Sequence, residues 1–582
     1  MPGMAAKSRK IKDVKVPLAE YPTPQFSRES YLSLNGEWEF GVSKPDVVAT
    51  YPYAINVPFA VETFLSGVGL RVTKDDVLHY RRKFTLPEGF RKQRVLLHFE
   101  AVDQICDVFL NDVHIAHHEG GYLPFAVDCL ELNEGENTLR VEVTDDTSSP
   151  VYPRGKQKDN PSGIWYTPTS GIWQSVWLES VPNQVIQKLE ITPLFDEKKV
   201  QIRAQFEGKI TESEVEISLF GQKIASGPLG PNATATFSLA STFRTWSPES
   251  PVLYDLKVKV NDDEVKSYFA MRKFSMIEHN GHHVFALNNK PYFLTGVLDQ
   301  GYYQDSGLTQ PSDLAIQTDL RMLKDMGFNM VRKHIKIEPM RWYYHCDKLG
   351  LIVIQDMVSG GNPVKLGLFL SAPFIRWKIN DAKRYALLGR DSPRGRQFFE
   401  DEMIGVVERL YNVPCIAIWT LFNEGWGQFD SVRLCEKLKG LDHTRLVDAT
   451  SGWFDQGVGD FNSRHIYMTK IRFKDDGHRI MSLSEFGAYS HIVPRHCNTK
   501  KKTFYRYFKT KESLNDALFA LYTKQVVPMV AQGLSVAVLT QLSDVEQETN
   551  GLVTYDRKVI KVDINRMKEV NRLLTFGGTA DD

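Results

Sequence analysis

Cys415-Ile416-Ala417-Ile418-Trp419-Thr420-Leu421-Phe422-Asn423-Glu424-Gly425-Trp426 is an apolar run that follows Pro414 and closes on an amide, a carboxylate and a glycine. A short run with no polar alternation predicts a strand buried on both faces, as in a parallel sheet. Catalytic side chains of a (β/α)8 barrel sit at the C-terminal ends of its strands, which makes Glu424 a candidate catalytic carboxylate. The pattern recurs in Arg479-Ile480-Met481-Ser482-Leu483-Ser484-Glu485-Phe486-Gly487, where an apolar run again ends in Glu, an aromatic residue and Gly. One such Glu reads most simply as a structural ion-pair residue. Two, at two strand ends of one barrel, could face each other across a sugar.

Outward from these runs, residues 279–582 alternate strands with helical stretches, the signature of βα units. Strands are expected at Tyr292–Val297, Phe328–Arg332, Leu351–Asp356, the Glu424 run, Leu446–Ala449, His465–Tyr467, Ile480–Ser484 and Ser535–Leu539. Eight units predict a TIM barrel. Pro311-Ser312-Asp313 opens the first helix, with Leu314, Gln317, Leu320, Leu323 and Met326 at helical spacing and Gly327 as its stop; Gly350 stops the second. His334 and Asp356, each at a strand end, either line a pocket or pair with and orient their neighbours; Arg332 is ambiguous in the same way. Cys415 is expected in the core.

Before the barrel, residues 182–278 alternate in about seven short segments and predict an immunoglobulin-like sandwich. Residues 21–181 alternate likewise, with a hairpin at Asn111-Asp112, and predict a β jelly roll. Near its end, in Ser162-Gly163-Ile164-Trp165-Tyr166-Thr167-Pro168-Thr169-Ser170-Gly171-Ile172-Trp173, Trp173 is expected in the core and Trp165 and Tyr166 exposed. Glu278, His279, His282 and His283 read as an exposed polar turn rather than as metal ligands.

Composition excludes some partners. Lys plus Arg equals Asp plus Glu at 71 each, leaving no basic field for nucleic acid or an anionic membrane. The first 20 residues hold Lys7, Arg9, Lys10, Lys12 and Lys15 without an apolar stretch behind them, so a cytoplasmic location is expected unless a leader has been removed. Six irregularly spaced cysteines suggest neither a disulfide framework nor a zinc site.

The succession of jelly roll, immunoglobulin-like sandwich and barrel resembles glycoside hydrolase family 2, the family of β-galactosidases, β-glucuronidases and β-mannosidases. Leu34-Asn35-Gly36-Glu37-Trp38, Gly171-Ile172-Trp173-Gln174-Ser175-Val176-Trp177-Leu178-Glu179 and Asn423-Glu424 carry the resemblance, which spans about residues 30 to 565. It implies Glu424 as the acid/base, Glu485 as the nucleophile, Asn423 as the amide holding the sugar 2-hydroxyl, and Tyr467 as a contact of the nucleophile. The implied reaction is retaining hydrolysis of a terminal β-glycoside, with no metal or other cofactor. Phe422, Trp426 and Trp453 are the expected apolar surroundings. Homo-oligomerisation is common in the family, but no partner surface is specified.

The sugar is less legible. The loop Gly296-Val297-Leu298-Asp299-Gln300 departs from the Asn-Arg-His or Asn-Lys-His type of familiar β-galactosidases and β-glucuronidases, so hydroxyl contacts through Asp299 must differ. Glu548-Thr549-Asn550 stands where β-glucuronidases carry Asn-x-Lys, which disfavours a glucuronide on charge grounds. Asp544, Glu546 and Glu548 suggest acceptors for a neutral polyol. β-Galactosidase is the default expectation, with β-mannosidase or another neutral-sugar glycosidase as the alternative. A catalytically silent carbohydrate-binding protein is the reading from a different class, and a long segment from Ser359 to Ser392 that blocks the pocket would favour it.

Overall fold

The structure, a computed structural model, describes residues 16–372, 379–502 and 505–577. The basic residues Lys7 to Lys15 and the middle of the 359–392 segment lie outside the described residues.

The first domain is a two-sheet sandwich. A six-stranded antiparallel sheet, in spatial order Tyr53–Val57, Gly36–Ser43, Val77–Thr85, Glu136–Thr144, Ile105–Leu110 and Val113–Glu119, faces a four-stranded one. Alternation decides which face goes inside: Glu136–Thr144 buries Asn137, Leu139, Val141 and Val143 and leaves the residues between them at the surface side. The Asn111-Asp112 turn is the expected two-residue hairpin, both residues left-handed at φ 49° and 67°. A second sandwich follows, with three- and four-stranded sheets whose seven strands close over Val200, Ile202, Ile217, Leu256, Val258 and Phe269. Arg28 ties the two together, pairing with Glu179 at 3.1 Å and Asp263 at 2.8 Å.

The barrel strands are β1 (Leu294–Asp299), β2 (Met330–Lys333), β3 (Ile352–Asp356), β4 (Ile416–Asn423), β5 (Leu446–Ser451), β6 (Phe461–Ile466), β7 (Ile480–Gly487) and β8 (Leu534–Thr540). All paired neighbours are parallel, and β4, β7 and β8 are buried along their whole length, as continuous apolar runs require. The ring is nearly closed. At the β5–β6 seam Asp460 stitches the gap: its N–H donates to Val447 O at 2.8 Å and its carboxylate accepts from Val447 N at 2.7 Å.

Helix α1 (Asp313–Asp325) starts at the Ser312 cap, whose side chain accepts from Ala315 N, and ends at Gly327. Its buried face is Ile316, Leu320 and Leu323; Leu314, expected on that face, is 65% exposed because it lies one residue out of phase with Ile316 and Leu320. Helices α2 (Met340–Leu349), α3 (Pro393–Leu410) and α4 (Ser431–Leu441) follow β2, β3 and β4, α5 (Lys511–Leu521) follows β7, and α6 (Ile564–Arg572) follows β8. The segments joining β5 to β6 and β6 to β7 contain no helix.

The domains are locked to one another through buried polar groups. Trp246 Nε1 and the Tyr268 hydroxyl both donate to Asp347 of α2, at 2.8 and 2.7 Å. Arg409 of α3 pairs with Glu100 of the first sandwich at 3.0 Å. Where that sandwich meets α3, four carboxyl groups are enclosed. Burial pushes Glu62 and Glu402 up to about 8 and Asp145 up to about 7, and raises Asp103 well above the usual carboxylate range.

Candidate active site

Glu424 follows the last residue of β4 and sits in the left-handed region at φ 51°, its N–H donating to Ser451 O on β5. That turn points its carboxylate into the mouth of the barrel. Glu485 projects from β7, where the register against β8 shifts between Leu483 and Phe486. One oxygen of each carboxylate and one ring nitrogen of His465 all lie within 4.8 Å of one another.

Arg332 on β2 organises the floor. Its guanidinium is buried and forks onto Asp356, Nε to Oδ1 at 3.0 Å and Nη2 to Oδ2 at 2.9 Å. Nη2 also donates to Asn423 Oδ1 at 2.8 Å, and Nη1 to Glu485 Oε1 at 3.2 Å and Ser484 O at 3.0 Å. The Tyr467 hydroxyl donates to the other oxygen, Glu485 Oε2. Burial alone would raise the Glu485 carboxyl, but positive charge beside it, from His465 when that ring is protonated and from Arg332 always, together with the Tyr467 hydrogen bond, outweighs burial and holds the group well below its ordinary value. Asp356 is kept low against burial by Arg332 and His334. His334, whose Nδ1 lies 3.1 Å from Asp356, is pushed down to about 4 by burial and is neutral at neutral pH. The low Glu485 therefore rests on Arg332 rather than on His334.

His465 links the two carboxylates. Nδ1 lies 2.8 Å from Glu424 Oε1; Nε2 lies 3.0 Å from Ser451 Oγ and 3.5 Å from both Glu485 Oε1 and Arg332 Nη1. These two glutamates and His465 are the only close trio of metal-ligating side chains among the described residues. The Arg332 guanidinium, 3.2 Å from Glu485, already puts a positive charge in this space.

The first sandwich roofs the mouth. Trp165 packs on Trp426 with ring centroids 5.0 Å apart, and Lys156 sets its ammonium 5.0 Å from the Trp426 ring and 5.7 Å from that of Tyr166. Lys156 is 7% exposed and forms no side-chain hydrogen bond or ion pair among the described residues. Tyr166, expected exposed, is 0% exposed: its hydroxyl donates to Glu548 Oε2 and its ring packs on Tyr302 at 4.8 Å. Glu548 is raised by burial, with Lys156 and Tyr166 pulling the other way. Gly163 N donates to Gln547 at 3.1 Å and Thr167 N to Glu546 at 2.8 Å, so the aromatic loop is zipped along the segment after β8. Trp173 is core, its Nε1 bonded to Gly121 O at 2.8 Å.

The structure thus gathers Asn423, Glu424, Glu485, Tyr467, His334 and Asp356 around one mouth, with Trp453 edge-on to His465 at 6.2 Å and Glu548 at the rim. Asp299 and Asp544 are not among them. Asp299 accepts from Lys333 Nζ at 2.5 Å and Gly301 N at 2.8 Å; Asp544 accepts from Lys561 Nζ at 2.6 Å and Gly551 N at 2.8 Å. Both carboxylates neutralise buried lysines rather than face the mouth. Of the 359–392 segment, residues 373–378 lie outside the described residues, and its flanks are pinned: Asp381 accepts from Gln428 at 2.9 Å, and Gln456 donates to Ile379 O at 2.8 Å. His282, in the polar turn before the barrel, pairs with Asp475 at 2.6 Å. His465, Ser451, Lys156 and Tyr505, whose ring lies 5.7 Å from that of Tyr467, were not singled out from sequence. For His465 a signal existed: it is two residues from Tyr467, the spacing that puts both on one side of an extended strand.

Three family models match in succession: "Glycosyl hydrolase 2 galactose-binding domain-like" over residues 63–173, "Glycosyl hydrolases family 2" over 184–272, and "Glycosyl hydrolases family 2, TIM barrel domain" over 279–491. Among curated proteins, a β-galactosidase of Leuconostoc mesenteroides is 25% identical over 439 residues, covering 71% of this chain and 38% of its own length. A β-galactosidase of Vibrio cholerae is 24% identical over 510 residues, covering 76% and 46%. The chain therefore spans less than half the length of these relatives. Among solved structures, a β-glucuronidase from an uncultured Clostridium superposes with TM-score 0.74 at 17% identity, covering 94% of this chain and 98% of that one. A β-galacturonidase of Eisenbergiella tayi gives 0.70 at 19%, covering 96% and 99%. At these identities the superpositions speak to the fold.

Proposed function

The chain belongs to glycoside hydrolase family 2, and from that premise we propose that it hydrolyses terminal β-glycosides with retention of configuration. The observation that carries this reading is the spacing of Glu424 and Glu485, whose oxygens approach within 4.8 Å. Retaining enzymes hold their carboxyl groups about 5–5.5 Å apart, whereas inverting ones leave about 6.5–9.5 Å for a water. Glu485, ionised and held by Arg332 and Tyr467, attacks the anomeric carbon. Glu424 gives its proton to the departing glycosidic oxygen, so the C–O bond breaks as the glycosyl ester forms. A water then returns a proton to Glu424 and cleaves that ester, restoring both groups. Asn423, oriented by Arg332, is the donor for the sugar hydroxyl next to the anomeric carbon. Trp165, Trp426 and Trp453 supply apolar faces for the ring.

A neutral sugar, with β-galactoside as the first choice, remains the reading for the substrate. One observation favours a second reading, an acidic sugar: Lys156 brings an unpaired ammonium to a mouth where Glu548 already takes the Tyr166 hydroxyl. The test is a panel of aryl β-galactoside, β-mannoside, β-glucuronide and β-galacturonide, run with Glu485→Gln and Glu424→Gln. Release from one β-glycoside, lost in Glu485→Gln, supports the reaction and names the sugar; survival of uronide turnover in Lys156→Met rejects the acidic reading. Silence of a folded protein across the panel, together with stabilisation by free sugar, would favour binding without hydrolysis.

A further inference from the structure

The geometry points to His465 as a positioning residue that fixes which oxygen of Glu424 carries the transferable proton. The inference rests on the reading of Glu424 as the acid/base, and its argument is one of donors and acceptors. The ring is buried and clamped: Gly452, at φ +94°, leaves no room on one side, since a Cβ there would lie 2.8 Å from the ring Cγ. Nε2 lies 3.0 Å from the Ser451 hydroxyl, which can donate or accept, and 3.5 Å from the Arg332 guanidinium, which can only donate. With Nε2 accepting, the ring proton sits on Nδ1 and is donated to Glu424 Oε1 at 2.8 Å. Oε1 is then the accepting, carbonyl-like oxygen, and the acid proton is confined to Oε2, the oxygen free to meet a leaving group.

The other charged and titratable groups facing the ring leave this arrangement intact. Arg332 on β2, itself paired with Asp356 of β3, opposes a second positive charge at Nε2, whereas Glu485 Oε1, 3.5 Å from Nε2, and Asp448 on β5 favour one. Tyr467, on the ring's own strand side at 6.3 Å, donates its hydroxyl hydrogen bond to Glu485 Oε2. A ring that carries its proton on Nδ1 and accepts at Nε2 satisfies Ser451, Arg332 and Glu424 together.

Two measurements test this. In ¹⁵N-histidine-labelled protein, with the His465 signal identified by its loss in His465→Asn, the ring is expected as the Nδ1–H tautomer; an Nε2–H tautomer overturns the inference, and this arm needs no substrate. The second arm uses the sugar that the panel selects. Asn places an amide donor near the former Nδ1, so His465→Asn should keep the wild-type dependence on leaving group. His465→Leu should lose about 10²-fold in kcat/KM on alkyl glycosides, which need a proton, and far less on dinitrophenyl glycosides, which do not. Equal losses on both in a variant that melts like wild type would mean a merely structural role and overturn the inference. A silent panel would count against the hydrolase reading alone, leaving the tautomer result to stand or fall separately.

Discussion

Tyr467 lowers the proton affinity of Glu485 by donating to Oε2, and removing that donor while keeping the ring isolates its effect. Tyr467→Phe raises the Glu485 pKa, so the acid limb of the kcat/KM profile should move to higher pH, with a loss of about 10- to 100-fold from one charge-assisted hydrogen bond. An unmoved acid limb would show that Arg332 alone sets the nucleophile. Gly452→Ala strains a positive φ and pushes the His465 ring, so activity should fall well before the melting temperature does; wild-type activity would show that the ring has room. At this scale the sequence was readable where the backbone announced an end: Glu424 and Glu485 close apolar runs, whereas Tyr467 was reached only through the resemblance to the family. Asp299 and Asp544 misled because their partners, Lys333 and Lys561, lie 34 and 17 residues away, and spacing alone does not pair them.

Elements deliver these residues. Residues 152–158 form a strap held to the barrel by a bridge from Pro153 to Gly360 and by Arg154 and Gly155 N–H groups on Ser359 O, both 2.9 Å. Gly155 is left-handed at φ +62°, and a Cβ there would sit 2.8 Å from Ile335 O. Gly155→Ala should loosen the strap at a cost of about 1–2 kcal/mol and raise KM with kcat held, because Lys156 and Trp426 move while the carboxylates stay. Loss confined to kcat would assign the strap to the chemistry. Seven of the eight barrel strands were legible as short apolar runs; the sixth, expected at His465–Tyr467, is Phe461–Ile466, a polar segment that carries no such run, and the helix-free connections between β5 and β7 were not legible either: their packing is decided by neighbours such as Asp460 and Arg479, not by local period. Tyr166 read as exposed because Gly and Pro flank it, and only the approach of the β8 segment buries it.

Across the whole molecule, two sets of carboxyl groups set opposite pH limits. Glu62, Glu402 and Asp145 have folded values of about 8, 8 and 7, above the ordinary range near about 4. Their contribution is full below that ordinary range and is lost as pH rises toward 7–8. Glu179 and Glu400, both lowered to about 2 as hydrogen-bond donors and nearby positive charge outweigh burial, contribute above the ordinary range and lose it as pH falls. The melting temperature should therefore decline from about pH 4.5 to about pH 8, and Glu402→Gln should flatten that decline; an unchanged slope would place the titration elsewhere. The order of domains was readable from the change of period, whereas the carboxyl groups enclosed where they meet were not, since burial there is made by two distant segments.

The bond from the Tyr166 hydroxyl to Glu548 joins residues 382 positions apart. At about 5–20 residues per second, roughly 20 to 75 s of translation separate their emergence from the ribosome. During that interval the finished first sandwich holds out an aromatic loop whose seat has not yet been synthesised. A chain that stops short of Glu548 leaves Tyr166 without the partner that seats it, and a side chain that the finished protein encloses completely stays open to solvent.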